Sequence, residues 1–254
     1  MKILSVGNSF SQDATRYLSE IARAGGAPMR TVNLMIGGCS LARHYRNMLA
    51  EDRVYTFEQN GVSTQLAVSL KEALLSDFFD VVTVQQLSSE APRYATYQPY
   101  LDELCGYIRR CQPRARLFFH ETWPYERGSA RLMTELQYSD EASMYADLHG
   151  AAEMAAEAMR ASGILPSGRA FLEARALGAE SLHRDTYHAS LGFGRYLLGL
   201  VWFGALTGRD FRDNGFRDFD LPLTEQEVAM AKEAASRALA AYGYLPAKRH
   251  AAEK

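Results

Sequence analysis

The sequence predicts an α/β fold: a three-layer αβα sandwich on a central, mostly parallel sheet, with a small hairpin insertion. Three observations carry that expectation. Short apolar and β-branched runs alternate with segments of helical periodicity along most of the 254 residues, the pattern of a doubly wound domain. Several of these runs are apolar almost throughout, as strands covered on both faces require. Glycines follow the first two runs at Gly7 and at Gly37-Gly38, at the carboxyl ends of strands, where such folds bind ligands.

Residues 3–6 form the first expected strand, and 14–24 a helix that stops at Gly25-Gly26. A second strand over 31–36 leads through Gly37-Gly38 into a helix over 41–49. Asn60-Gly61 sits between Phe57 and Val62, a two-residue turn signal, so residues 54–66 read as a hairpin outside the main sheet. A helix over 69–75 follows, then a strand at 80–84, a helix at 100–110 and a strand at 116–120. An Ala- and Met-rich helix spans about 141–161, with a short strand at 163–165. Ser190 caps an apolar helix that runs to 206. Thr224-Glu225-Gln226-Glu227 is a capping-box signature for a last helix ending near 242.

A chain of this length, 47% hydrophobic and 23% charged, buries one sizeable core. The expectation is a single domain over 1–246 with a frayed tail at 247–254. Twenty-eight basic and thirty acidic side chains leave a formal charge of −2, so no net field draws the molecule to nucleic acid or an anionic membrane. The basic cluster of Arg109, Arg110, Arg114 and Arg116 reads as a solvated face around a helix end. No apolar stretch approaches the roughly 18 residues of a membrane span, and residues 1–7 are too short a run for a signal-peptide core, so a soluble, cytoplasmic protein is expected. Cys39, Cys105 and Cys111 lack paired spacing and imply neither a disulfide framework nor a metal site.

A serine hydroxyl becomes a nucleophile at neutral pH only if a histidine takes its proton, usually with a carboxylate orienting that histidine. Ser9 follows the first strand in Gly7-Asn8-Ser9-Phe10-Ser11, and Asp185-Thr186-Tyr187-His188 lies far along the chain. Each piece alone is ordinary, since a serine after a strand is more often a cap or turn residue. His44, His149, His183 and His250 read as surface residues, and His120 as a satisfied core or rim histidine. Trp123, after the fourth parallel strand, is either a stacking platform for a sugar ring or packing. Glu121 and Glu90 are candidates to bind substrate hydroxyls.

Taken together, these segments resemble the SGNH (GDSL-like) hydrolases, and Thr122-Trp123, Arg195-Tyr196-Leu197 and Val201-Trp202 resemble a branch described mainly as a domain of unknown function. Gly7-Asn8-Ser9 with Ser11 is similar to the family's first block, Asn33 with Gly37-Gly38-Cys39-Ser40 to its second, and Asp185-x-x-His188 to its last, in the family's order. The resemblance implies an SGNH/flavodoxin-like sandwich, Ser9, Asp185 and His188 as catalytic residues, and an oxyanion hole from the backbone N–H groups of Ser9 and Gly38. The chain departs from the family at Asn8, where an aspartate is usual, and at Val84-Gln85-Gln86-Leu87-Ser88, where Gly-x-Asn-Asp is usual. A glutamine amide is a donor like the missing asparagine, so Gln85, or else Gln86, is the expected third oxyanion donor. Asn8, Trp123 and Glu121 are the expected substrate contacts.

The function these readings imply is a cofactor-free, metal-free carboxylic ester hydrolase, a deacetylase of acylated carbohydrate or of a similar small polar ester. Its partner would be that small molecule, with no nucleic acid and no membrane, and its oligomeric state is left open. Two alternatives stay open from the sequence: an acyltransferase using the same acyl-enzyme, and a catalytically silent ligand-binding domain.

Overall fold

In the computed structural model, which describes residues 1–244, the apolar runs become strands of one seven-stranded sheet. In chain order they are β1 (Lys2–Val6), β2 (Arg30–Met35), β3 (Tyr55–Gln59), β4 (Val62–Val68), β5 (Val81–Val84), β6 (Arg116–Glu121) and β7 (Gly163–Pro166). Their spatial order is β4-β3-β2-β1-β5-β6-β7. From β2 to β7 neighbouring strands pair in parallel. The chain starts in the middle at β1, moves outward to β2, and returns to β5 on the other side. That reversal creates a crevice at the carboxyl ends of β1, β2 and β5, the place where open α/β sheets bind ligands.

The hairpin is not an excursion. β3 pairs antiparallel with β2, and β4 with β3, so the hairpin extends the sheet and covers the backbone edge that β2 would otherwise expose. The turn is the one its sequence demands, with Asn60 at φ +51° and Gly61 at φ +76°, the left-handed pair of a type I′ hairpin. A side chain at Gly61 would also collide with the Arg16 carbonyl, 2.2 Å from its Cβ position.

The helices are α1 (Ser9–Thr15), α2 (Leu18–Ala24), α3 (Leu41–Ala50), α4 (Leu70–Leu75), α5 (Tyr100–Cys111), α6 (Glu141–Ala158), α7 (Ser167–Ala176), α8 (Phe193–Thr207) and α9 (Glu225–Ala241). Alternate strand residues feed two cores. Ile3, Val81 and Phe118 face α1, α2, α7, α8 and α9, while Leu4, Val82 and Phe119 face α3, α4 and α5. α6 closes the β6–β7 side and contributes to both cores. α8 is buried nearly all round, which is why its sequence lacks a polar stripe.

Three expectations change here. The helix expected over 14–24 is two, because α1 begins at Ser9 and breaks at Arg16-Tyr17, where the buried Tyr17 hydroxyl donates to Leu191 O at 2.5 Å and accepts from Asp220 N at 2.7 Å. α7 lacked a sequence signal, its Ala170, Phe171 and Ala174 being too few to mark a helix by period. His44 is not a surface residue. It is fully buried against Tyr55, with Nδ1 2.9 Å from the Tyr55 hydroxyl, and burial lowers its pKa to about 3. The expected tail at 247–254, and His250 within it, lie outside the described residues.

Candidate active site

The loop after β1 is shaped by close approach. A Cβ on Gly7 would stand 2.1 Å from Ser11 Oγ, so only glycine lets Ser11 fold back beneath the turn. Asn8 then caps α1: its Oδ1 accepts from Phe10 N at 2.9 Å, and Ser11 Oγ accepts from Asn8 N at 3.0 Å. The cap leaves Ser9 as the first helical residue, half-buried. Ser9 Oγ lies 2.8 Å from His188 Nε2, and His188 Nδ1 lies 2.8 Å from Asp185 Oδ2.

The Asp185–His188 segment is held from three sides. Asp185 Oδ1 accepts from His188 N at 2.9 Å, closing a turn through Thr186 at the strained φ of +76°. Trp123 Nε1 donates to Tyr187 O at 2.8 Å. The buried Asp13 of α1 accepts both from Arg184 at 2.9 Å and from Ala189 N at 3.2 Å, so the helix that presents Ser9 also anchors the loop that presents His188. Partial burial alone would raise the Asp185 pKa, but the hydrogen bonds and charge of His188 hold it below the usual carboxylate value. An ionised carboxylate only accepts, so Nδ1 of His188 carries its proton and Nε2 is the acceptor for the Ser9 hydroxyl.

Beside Ser9 opens a cavity of about 530 Å³ lined by Gly37, Gly38, Ser88, Tyr125, Arg131 and Tyr187, among others. Gly38 sits at φ +61° with open space where a side chain would be, so glycine is required there by conformation. A larger hollow of about 960 Å³ lies between Phe78, Phe79 and Arg116, at the amino ends of the strands and away from every candidate nucleophile. Among the described residues no cluster of three or more His, Cys, Asp and Glu side chains stands ready to hold a metal ion, and no helix is long and apolar enough to cross a membrane.

A family model for a domain of unknown function, DUF4886, matches residues 2–238. The chain belongs to the DUF4886 family. It is similar to a DUF4886 family protein from Bacteroides uniformis, at 32% identity over 97% of this chain and 96% of that one, with a TM-score of 0.86. A candidate SGNH hydrolase from Slackia heliotrinireducens is similar at 25% identity over 81% of this chain and 98% of that one, with a TM-score of 0.60. A variant of an acetyl xylan esterase from Geobacillus stearothermophilus shares the fold at 14% identity, over 81% of this chain and 94% of that one, with a TM-score of 0.51. No curated protein matches. The DUF4886 chain thus has the SGNH hydrolase fold that its sequence blocks resemble.

Other residues of this DUF4886 chain take places the sequence did not foresee. Neither glutamine lines the cavity. Gln85 Oε1 is 2.7 Å from His120 Nδ1 and its Nε2 donates to Asn8 Oδ1 at 2.8 Å. Asn8 Nδ2 then donates to Cys39 O at 3.0 Å, just past Gly38. An amide oxygen only accepts, so this chain of bonds fixes each amide's orientation: Gln85 and Asn8 brace the Gly37-Gly38 loop instead of presenting donors to a substrate. Gln86 is buried too, accepting from Leu41 N and donating to Thr96.

Asn8 touches the cavity but turns its amide inward, which removes it as the expected substrate contact. Trp123 is not a sugar platform: it is fully buried, with ring centroids 4.2 Å from Phe10 and 4.9 Å from Phe171. Glu121 lies apart from the cavity, buried with His149, Tyr242 and Arg169 N, because the strand's alternation aims it at α6. Glu90 does not line the cavity either. His149 and His183 are half-buried and bonded, not free surface residues. The residues that reasoning from sequence missed are Tyr187, inside the Asp-x-x-His block itself, Ser88 and Tyr125, whose hydroxyls are 2.9 Å apart, and Arg131.

Proposed function

We propose that this protein is a serine-dependent carboxylic ester hydrolase, a deacetylase of acylated carbohydrate or of a similar small polar ester. The observation that carries the reading is the unbroken line Ser9 Oγ, His188 Nε2, His188 Nδ1, Asp185 Oδ2, with 2.8 Å at both contacts, opening into a cavity at the switch point of the sheet. Ser9 Oγ attacks the acyl carbonyl as its proton passes to Nε2, and Asp185 stabilises the imidazolium that forms. The backbone N–H groups of Ser9 and Gly38 hold the oxyanion, a contribution of several kcal/mol, roughly 3–4 per donor where such donors have been removed. Nε2–H then protonates the leaving alcohol. Water, deprotonated by the same nitrogen, attacks the acyl-enzyme and releases the acid. The hydroxyl, amide and charged groups among the cavity's lining residues, from Gln12, Ser88, Ser89 and Arg131, suit a polar alcohol better than a lipid tail.

Turnover of short-chain nitrophenyl esters by the native enzyme, lost in Ser9→Ala, is the expected outcome. Mass spectrometry after fluorophosphonate treatment should find the adduct on Ser9. Equal turnover with and without the Ser9 hydroxyl would overturn the assignment, and absence of the adduct would favour a silent binding domain. Transesterified product in the presence of sugar acceptors would convert the reading to an acyltransferase.

A further inference from the structure

The cavity carries one guanidinium that no described neighbour pairs with. Arg131 opens the short π-helical turn Arg131–Glu135, a rare geometry that recurs at functional sites. Its guanidinium carbon stands 4.1 Å from the centroid of the Tyr187 ring, and that ring lies 4.0 Å from the His188 ring, which bounds the guanidinium at about 8 Å from the imidazole. Stacking occupies the face of a guanidinium and leaves its in-plane N–H donors available. Among the described residues, Arg131 has no side-chain hydrogen bond and no ion pair, whereas the other guanidinium lining the cavity is accounted for. Arg184 is held by Asp13 at 2.9 Å. Glu135 lines the same cavity and is exposed, but it does not come within ion-pair distance of Arg131. A planar, unpaired guanidinium one ring away from the general base is matched by a planar anion on the bound molecule.

We propose that Arg131 binds a carboxylate carried by the ester substrate, making the site selective for small esters whose acyl or alcohol half is acidic. The inference rests on the reading of Ser9 as an esterase nucleophile. The 8 Å bound sets the reach: the carboxylate is separated from the scissile carbonyl by a short spacer, such as a two-carbon chain or one ring.

Two pairs of esters that differ only by methylation of that carboxylate test it. 4-Acetoxybenzoate against its methyl ester puts the charge on the alcohol side, and monophenyl succinate against its methyl ester puts it on the acyl side. The native enzyme should favour the free acid by about tenfold or more in kcat/KM in one of the pairs, with the preference shrinking as salt rises to about 0.5 M. Arg131→Gln and Arg131→Met should bring the ratio close to one, and Arg131→Lys should retain part of it. A ratio within each preparation cancels losses from misfolding. Calorimetric titration of Ser9→Ala with the same four compounds reads the preference without turnover, with Ser9→Ala/Arg131→Gln as its control. No preference for the free acid in turnover or in binding, or a preference that survives Arg131→Gln, overturns the inference. Preferential binding of the acid with no turnover of any ester would sink the esterase reading and leave Arg131 as an anion site.

Discussion

Two histidines in this molecule make the same pattern of contacts and do opposite things. His188 bridges Asp185 and the hydroxyl of Ser9, and His120 bridges Gln85 and the hydroxyl of Ser167, its Nε2 3.0 Å from Ser167 Oγ. By hydrogen-bond geometry alone both are serine–histidine pairs with an orienting third group. The partner and the solvent separate them. Asp185 is a carboxylate, the partner that the proposed mechanism needs to steady an imidazolium, and His188 keeps contact with the cavity. Gln85 is neutral, His120 and Ser167 are fully enclosed, and burial lowers the His120 pKa to about 3. His120 therefore stays neutral, orients the Gln85 and Asn8 amides, and takes no proton from Ser167. A catalytic constellation is thus recognised by where charge can develop, with distance as the entry condition.

The largest effects should break the symmetry of the two sets. Ser9→Ala and His188→Ala are expected to lower kcat/KM for a short-chain ester by about 10⁴-fold or more, while Ser167→Ala changes it by less than about tenfold and instead costs roughly 1–3 kcal/mol of stability for the unpaired His120 nitrogen. Steady-state kinetics and urea unfolding on the three variants read both quantities. Asp185→Asn should follow with a loss of about 10²–10⁴ in kcat, because an amide can neither hold the Nδ1–H tautomer reliably nor steady the imidazolium. If Asp185→Asn proved silent, the distinction between a carboxylate and an amide partner would collapse.

Stability should run in the reverse order. His120→Ala empties a packed site and strands both the Gln85 oxygen and the Ser167 hydroxyl, at about 2–5 kcal/mol. His188→Ala, at the cavity edge, should cost less than about 1 kcal/mol. A comparison of denaturant midpoints at unchanged m-value decides this, and equal losses would contradict the assigned roles.

The meeting of Ser9, His188 and Asp185 was legible in the sequence because its signals are local: Asp185 and His188 are three residues apart, and Ser9 lies just past a strand end. The parallel sheet was legible for a similar reason, since each strand announces itself by an apolar run. What joins residues from separate strands was not. The line from Ser167 through His120 and Gln85 to Asn8 draws on the ends of β1, β5, β6 and β7, and only the strand order brings those ends together. That is why Gln85 reads as an oxyanion donor in the sequence and proves to be a brace. Trp123 and Glu121 misled for a related reason: β6 ends at Glu121, so Glu121 keeps the strand's direction toward His149 of α6, while Trp123, past the strand end, turns into the core between Phe10 of α1 and Phe171 of α7. Arg131 lies in a segment without a periodic pattern, where nothing local marks a binding residue.

The smallest expected effect isolates the buried member of the pair by pH. In the unfolded chain His120 titrates near its ordinary value of about 6.5, whereas in the folded protein burial holds it near 3. Between those values the unfolded state binds the extra proton, so stability rises with pH across the window. The contribution is present in full above about pH 6.5 and is lost progressively as pH falls toward 3. One proton corresponds to a slope of about 1.4 kcal/mol per pH unit. His44, lowered to about 3, and His183, lowered to about 4 by burial, add slopes of the same sign, as do carboxylates the fold lowers, such as Asp185 and Asp220, whereas Asp13 and Glu58, raised by burial, add slopes of the opposite sign. His120→Gln removes one of these terms. Urea unfolding of the native protein and of His120→Gln between about pH 4.5 and 6 should therefore differ in slope by about one proton, whatever constant stability the substitution costs. Parallel curves would mean that His120 is protonated in the fold, and the contrast with His188 would lose its electrostatic basis.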